Sequence, residues 1–385
     1  MNVPHLRFDG FDGEWEKKKV KEIAPLQRGF DLVKDAIIPG EYPIGYSNGI
    51  LGFHNEFKAK GPGVFTGRSG TIGNIHFTES DYWPHNTSLW VTDFKGNNEK
   101  FIYYFYKKLD LKKYNAGSTV PTLNRNDVHD LVRFVPKQKE QDKIASFLTL
   151  LDKKIEKQQE KIEKLEQFKK GMMQKIFSQE LRFKDEDGKE FEEWKKFRLG
   201  DIAIIKGRLG WKGLKQEEYV ENGAYLVAGK HIKKGIIQWG KCDQITDFRY
   251  RESIEIALEE NDIIFSKDGS LGNPALIKKL PKEATINSTM MLVRMTDSIL
   301  PDYLYQVMLG REFKQLIHLK VSGSSIPHLF QADMKEFEFL APMSVIEQRK
   351  ISCILNNLDT KLRKENEKLL ALEEQKKGFM QGMFV

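Results

Sequence analysis

Apolar residues recur at alternating intervals of three and four along two long stretches of this chain. In the first, Ile144, Leu148, Leu151, Ile155, Ile162, Leu165, Met172 and Ile176 form the stripe, with Gln158 and Lys169 in the same seam. In the second, the stripe is Ile351, Leu355, Leu358, Leu362, Leu369, Leu372, Phe379 and Met383, with Glu365 and Lys376 in the polar slots. A sustained 3.5-residue period with charges on the other faces predicts two coiled-coil helices. From Ile144 to Ile176 such a helix extends about 50 Å at ~1.5 Å per residue.

The two stretches are copies of each other. Residues 140–177 align without a gap on residues 347–384. Both contain Glu-Gln-x-Lys-Ile, a Leu-Asp pair (Leu151-Asp152, Leu358-Asp359) and Lys-Lys-Gly before a Met-rich end. Upstream, Gly117-Ser118-Thr119-Val120-Pro121-Thr122-Leu123 matches Gly323-Ser324-Ser325-Ile326-Pro327-His328-Leu329. Arg68 to Asn74 matches Lys267 to Asn273, and Asn86-Thr87-Ser88 matches Asn287-Ser288-Thr289. Leu6-Arg7-Phe8 through Trp15 resembles Leu181-Arg182-Phe183 through Trp194. Between these anchors the copies diverge, most of all at 24–65 against 203–264. The chain is therefore a duplicated unit, a variable globular domain followed by a long helix, with a period of about two hundred residues.

Within the globular parts, Gly63-Val64-Phe65-Thr66, Ser88-Leu89-Trp90-Val91, Ala224-Tyr225-Leu226-Val227 and Asp262-Ile263-Ile264-Phe265 read as strands between turn residues. Phe101 to Lys112 and Pro301 to Leu319 read as helices, which gives an α+β domain with an irregular sheet. If the two seams pair within one molecule, the simplest arrangement is antiparallel about a pseudo-twofold axis, with a globular domain at each end. Polar seam residues then fix register and orientation.

Composition narrows the class. The chain has 385 residues, enough for two or three domains, and 11% aromatic residues exclude a disordered chain. Its start lacks a basic and apolar leader, no run of about 18 apolar residues occurs, and Cys242 and Cys353 have no partners at metal spacing. A cytoplasmic location with no membrane association is expected. The net charge of +7 is compatible with nucleic acid, although residues 181–346 carry 25 basic and 25 acidic groups and are neutral.

No catalytic constellation stands out. Gly223 to Gly229 leaves five residues between its glycines where a phosphate-binding P-loop has four, and His231 follows Lys230 in place of the magnesium-ligating hydroxyl. Gly67-Arg68-Ser69-Gly70 is no nucleophile elbow, and the eight histidines make no zinc pattern. Asn273-Pro274 lacks the second proline and aromatic of an amino-methyltransferase.

The matched glycine loops allow two readings. In one they are tight hairpin turns in which glycine supplies positive φ. In the other their amides and polar side chains approach a phosphate or base edge. The Gly-Ser-Thr/Ser-Val/Ile-Pro pair likewise reads as an N-cap and turn, or as part of a binding loop. For contact with a nucleic acid the candidates in the first domain are Arg28, Lys58, Lys60, Arg68, Ser69, Asn74, His85, Asn86, Ser118, Thr119 and Arg125. In the second they are Arg208, Lys212, Lys230, His231, Lys267, Ser270, Asn273, Asn287, Ser324 and Ser325. Arginine suits guanine and asparagine suits adenine by donor and acceptor pattern.

Two divergent domains, each followed by a near-identical heptad helix, resemble the specificity subunit of Type I restriction–modification enzymes. The loops ending Val120-Pro121-Thr122-Leu123 and Ile326-Pro327-His328-Leu329, the following Pro136 and Pro342, the Glu-Gln-x-Lys-Ile starts and the Lys-Lys-Gly-x-Met-Gln helix ends carry the likeness, over essentially the whole chain. The resemblance implies an α+β fold of two pseudo-symmetric target-recognition domains separated by two long antiparallel coiled-coil helices. The domains would be residues 1–139 and 181–346, the spacer helices 140–180 and 347–385. It further implies that each domain reads half of a bipartite double-stranded DNA site and that the helices set the spacing and dock two methyltransferase subunits. Motor-nuclease restriction subunits join for cleavage. The chain itself would be non-catalytic and bind no cofactor, with S-adenosylmethionine, ATP and magnesium on its partners. The alternatives are a coiled-coil scaffold or anti-restriction protein without base readout, and a nuclease with an unrecognised site.

Overall fold

The computed structural model describes residues 2–116, 119–208, 214–296, 298–322 and 327–385. Ser118, Lys212, Ser324 and Ser325, four of the candidate contacts, lie outside the described residues. The chain forms two compact units. The first comprises Met1–Lys161 with Glu365–Val385, the second Ile162–Lys364. Each unit thus takes the beginning of one long helix and the end of the other.

The units share one plan. In the first, Glu16–Lys19 pairs antiparallel with Val132–Val135 just ahead of the long helix Gln138–Phe177. In the second, Lys195–Arg198 pairs antiparallel with Glu338–Ala341 ahead of the long helix Val345–Gly382. A four-stranded sheet follows in each. Its order is Leu26–Arg28, Ser88–Val91, Gly63–Gly67, Ile75–Thr78 in the first unit. The second unit has Ala203–Gly207, Met290–Met295, Ile263–Ser266, Gly272–Leu276. A three-stranded sheet completes each unit, built on Tyr42–Tyr46 in the first and on Tyr219–Val227 in the second. The α+β class and the four strands read from β-branched runs are therefore present.

The helix expected from Pro301 to Leu319 is two helices, Pro301–Leu309 and Arg311–Ser322. Gly310 breaks it: its ψ of −172° is extended, and a Cβ there would lie 2.8 Å from the Val307 carbonyl oxygen. In the first unit the helix is Glu99–Lys108, started by Asn98, whose side chain accepts the Phe101 amide at 2.9 Å.

Each core gathers the start of one long helix and the end of the other. Ile144, Leu148 and Leu151 pack with Trp15, Phe101, Tyr106, Met383 and Phe384 in the first unit. Ile351 and Leu355 pack with Ile176, Trp194, Tyr303 and Phe313 in the second. Burying each such side chain contributes roughly 1.5–3 kcal/mol, so these anchors hold the helix ends firmly. Along the helices Gln158, Ile162 and Lys169 are buried, while Ile155, Leu165, Leu358, Leu362, Leu369 and Leu372 are half-buried. The apolar stripe is the face turned inward.

Within each unit the paired helix segments run antiparallel. In the first, Lys376 pairs with Asp152, and Gln158 donates to the Glu365 carboxylate at 2.7 Å, which Lys161 also reaches at 2.5 Å. In the second, Lys169 pairs with Asp359. The Lys of Lys-Lys-Gly on one helix thus meets the Asp of the Leu-Asp pair on the other, in both units.

Candidate functional site

The three short motifs retained in both copies converge in each unit. In the first, the Arg68 amide donates to the Thr87 carbonyl at 2.8 Å, and the Arg68 carbonyl accepts the Leu123 amide at 2.8 Å. Ser69 bridges Thr122, and the Gly70 amide donates to the Pro121 carbonyl at 2.9 Å. In the second, Lys267 makes the same two bonds, to the Thr289 carbonyl at 2.8 Å and from the Leu329 amide at 2.9 Å. Asp268 bridges His328. The glycine loop is therefore stitched between the other two motifs by backbone bonds that any side chains tolerate.

The turn reading of the glycine loop holds in both units. Gly70 and Gly269 have φ of +81° and +70°, a left-handed conformation that favours glycine. Asn74, Ser270 and Asn273 are exposed on these loops and Thr119 on the neighbouring Pro121 motif, while Arg68, Ser69 and Lys267 are half-buried at the loop bases. Asn273 sits at φ +53° and donates to the Ile232 carbonyl at 3.2 Å, which ties its loop to a small antiparallel pair, Ile232–Lys233 with Ile236–Ile237.

Arg28 donates to Asp31 at 2.6 Å, and Asn86 donates to the same carboxylate. Arg28, then Asn86, holds the Asp31 carboxyl below its usual range. His85 contacts the Thr87 hydroxyl at 2.9 Å and the Leu32 carbonyl at 3.2 Å, and burial lowers its pKa. In the second unit Asn287 accepts the Thr289 hydroxyl at 2.8 Å and closes its own turn. Lys60 and Arg125 are exposed. Lys58 lies 4.9 Å from the centre of the Trp83 ring. Lys230 pairs with Asp243 at 2.9 Å.

Two candidates are not at the surface. His231 is 3% exposed, accepts the Ala228 amide at 3.0 Å, and is shifted down by burial. Arg208 is 6% exposed, and its guanidinium nitrogens have no hydrogen-bond partner among the described residues. Burial, then the nearby Arg249, lowers its pKa.

Sequence reasoning missed the clamp at each helix start. Glu140 accepts from Arg7 at 2.8 and 2.9 Å and from the Trp15 indole at 3.3 Å. Glu347 accepts from Arg182 at 3.2 Å and from the Trp194 indole at 3.2 Å. The neighbouring glutamines act alike: Gln141 donates to the Pro136 carbonyl and Gln348 to the Pro342 carbonyl, each at 2.9 Å. The signal was available, since Arg, Trp, Pro and Glu-Gln all recur in both copies. Among the described residues no group of three or more His, Cys, Asp or Glu is placed to hold a metal, and no helix is long and apolar enough to cross a membrane.

Each unit thus carries the same three retained motifs stitched together by backbone bonds, beside a clamped helix start. The chain belongs to the Type I restriction modification DNA specificity domain family, which it matches over residues 12–167 and 191–374. It is 27% identical over 296 residues to the Type I restriction enzyme MjaIX specificity subunit of Methanocaldococcus jannaschii, an alignment spanning 71% of this chain and 66% of that relative's length. Its fold is that of the Type-I restriction-modification system S subunit from M. genitalium, with a TM-score of 0.69 and 20% identity over 100% of this chain and 99% of that one. A second solved chain, described with complex assembly and conformational transition of the type I R-M system, aligns over 98% of both chains with a TM-score of 0.55 and 13% identity.

Proposed function

We propose that this chain is the sequence-specific DNA-recognition subunit of a Type I restriction–modification complex, acting in the cytoplasm. Each globular unit reads one half of a bipartite double-stranded site. The long helices set the unread gap and dock two methyltransferase subunits, with restriction subunits joining for cleavage. S-adenosylmethionine, ATP and magnesium belong to those partners.

The observation that carries this reading is the convergence of the retained motifs in both units on one backbone scaffold. That scaffold presents loops with exposed Asn74 and Asn273 and with Arg68 and Lys267 at their bases. Asparagine and arginine supply the paired donors and acceptors that distinguish adenine and guanine edges. Lysines nearby neutralise phosphates, which makes affinity fall with salt. A methyltransferase partner extrudes its target base from a duplex that this chain holds.

The test is to co-express the chain with its methyltransferase subunit and map methylated adenines across a genome by single-molecule sequencing. Two short specified blocks around a fixed gap are expected. A contiguous motif would leave one unit without a DNA role. An assembled complex with no motif would favour a scaffold instead.

A further inference from the structure

The second unit departs from the first at the end of its stitched motifs. Where the first unit has Thr122 and Asn124, the second has His328 and Phe330. Asn124 does what an N-cap residue should: its side chain accepts the Asn126 amide at 3.0 Å and starts the short helix Arg125–His129. Phe330 occupies the same place before Gln331–Lys335 and has no side-chain acceptor. A phenylalanine there forgoes the cap, and the residue is 59% exposed to water. Local preference is thus set aside on both counts, a pattern expected at a functional position.

The exposed ring is also braced. The His328 and Phe330 ring centres are 4.3 Å apart. His328 is held in turn by the Asp268 carboxylate, and Asp268 by Lys267 at 3.3 Å. Asp333 fixes the Phe330 backbone by accepting its amide at 2.9 Å. Lys267 and Asp268 belong to the glycine loop of the candidate DNA surface, so the aromatic pair is continuous with that surface. An exposed ring braced by its neighbours suits the face of a base: stacking tolerates any base, and apolar wedges between base steps are a common way to open a duplex.

We infer that Phe330, braced by His328, is a stacking wedge that the second reader sets against a base step of its half-site. The inference rests on the DNA-recognition reading above. The first reader, with Asn124 at this position, has no such wedge.

The experiment uses the chain assembled with its methyltransferase partner and duplexes carrying the mapped site. 2-Aminopurine is placed in turn at each purine of the second half-site, on both strands, other than the methylated adenines and the bases flanking them, which extrusion by the methyltransferase would itself brighten. A rise in fluorescence is expected at one step with the wild-type chain. Phe330→Ala should abolish the rise and weaken binding about tenfold, whereas Phe330→Trp should keep both. Phe330→Asn restores the cap and gives a well-folded variant with the same expected loss. A rise that survives in Phe330→Asn, or no rise anywhere while the wild-type complex binds its duplex, would overturn the wedge. Failure of the wild-type complex to bind any mapped duplex would overturn the recognition reading and the wedge with it.

Discussion

Glu347 has no exposed surface, yet it carries a charge that Arg182 and the Trp194 indole satisfy. Removing one partner of such a buried pair leaves the other uncompensated, typically at about 3–5 kcal/mol. Glu347→Ala should therefore lower the unfolding midpoint of the purified chain strongly, and Glu347→Gln less, because the amide oxygen still accepts from Trp194. Equal midpoints for all three chains would mean the clamp contributes nothing. This residue also marks how far the sequence could be read. The repeated Glu-Gln announced a helix start, and the repeated Arg and Trp announced an anchor. That these are one contact across 165 residues was not legible, because nothing local encodes which distant partner fills a buried carboxylate. The aromatic tip at Phe330 was equally hidden, since its exposure depends on how the loops are stitched.

At the scale of elements, the long helices were the most legible part of the chain, because a 3.5-residue stripe states both the helix and its inward face. Strands rich in β-branched residues were legible for a similar reason, but the sheet order was not. It joins strands far apart in sequence, such as Leu26–Arg28 with Ser88–Val91. The polar seam residues were recognised without their partners. Asp152 accepts from Lys376 and from the Tyr104 hydroxyl at 2.6 Å, so the helix Glu99–Lys108 is tied to the seam. In the second unit Gln306 donates to Asp359 at 2.9 Å beside Lys169. A slip of one heptad would set Lys376 against Ala145 or Gln159, and Lys169 against Ser352 or Asn366, leaving each ammonium without its carboxylate. The lysine side chains are 14% and 11% exposed and their aspartates about a third, so solvent screening keeps each pair's worth near 1 kcal/mol. Lys169→Ala should cost about that much in denaturant unfolding. Exchanging the pair, Lys169→Asp with Asp359→Lys, should recover most of it, because the Gln306 amide also offers an oxygen. A double variant no more stable than Lys169→Asp alone would show that the pair does not matter.

At the scale of the whole molecule, both unit boundaries fall inside the long helices, at Lys161/Ile162 and Lys364/Glu365. Each unit keeps its own clamp, core and stitched motifs on its side of those points. Seven residues inserted after Lys161 and seven after Lys364 would therefore leave both readers untouched. One heptad also keeps every seam residue in phase, where an insertion of four would rotate the stripe off its partner. Each helix would lengthen by about 10.5 Å, at ~1.5 Å per residue. That is about three base pairs at ~3.4 Å each. If the helices are the ruler, the methylated motif should keep both half-sites and widen its gap by three pairs. The same mapping that defines the wild-type motif reads the result directly. An unchanged gap in an assembled, active complex would mean that the DNA, not the helix length, accommodates the distance. Altered half-sites would mean that base recognition reaches beyond the two globular units and into the helices.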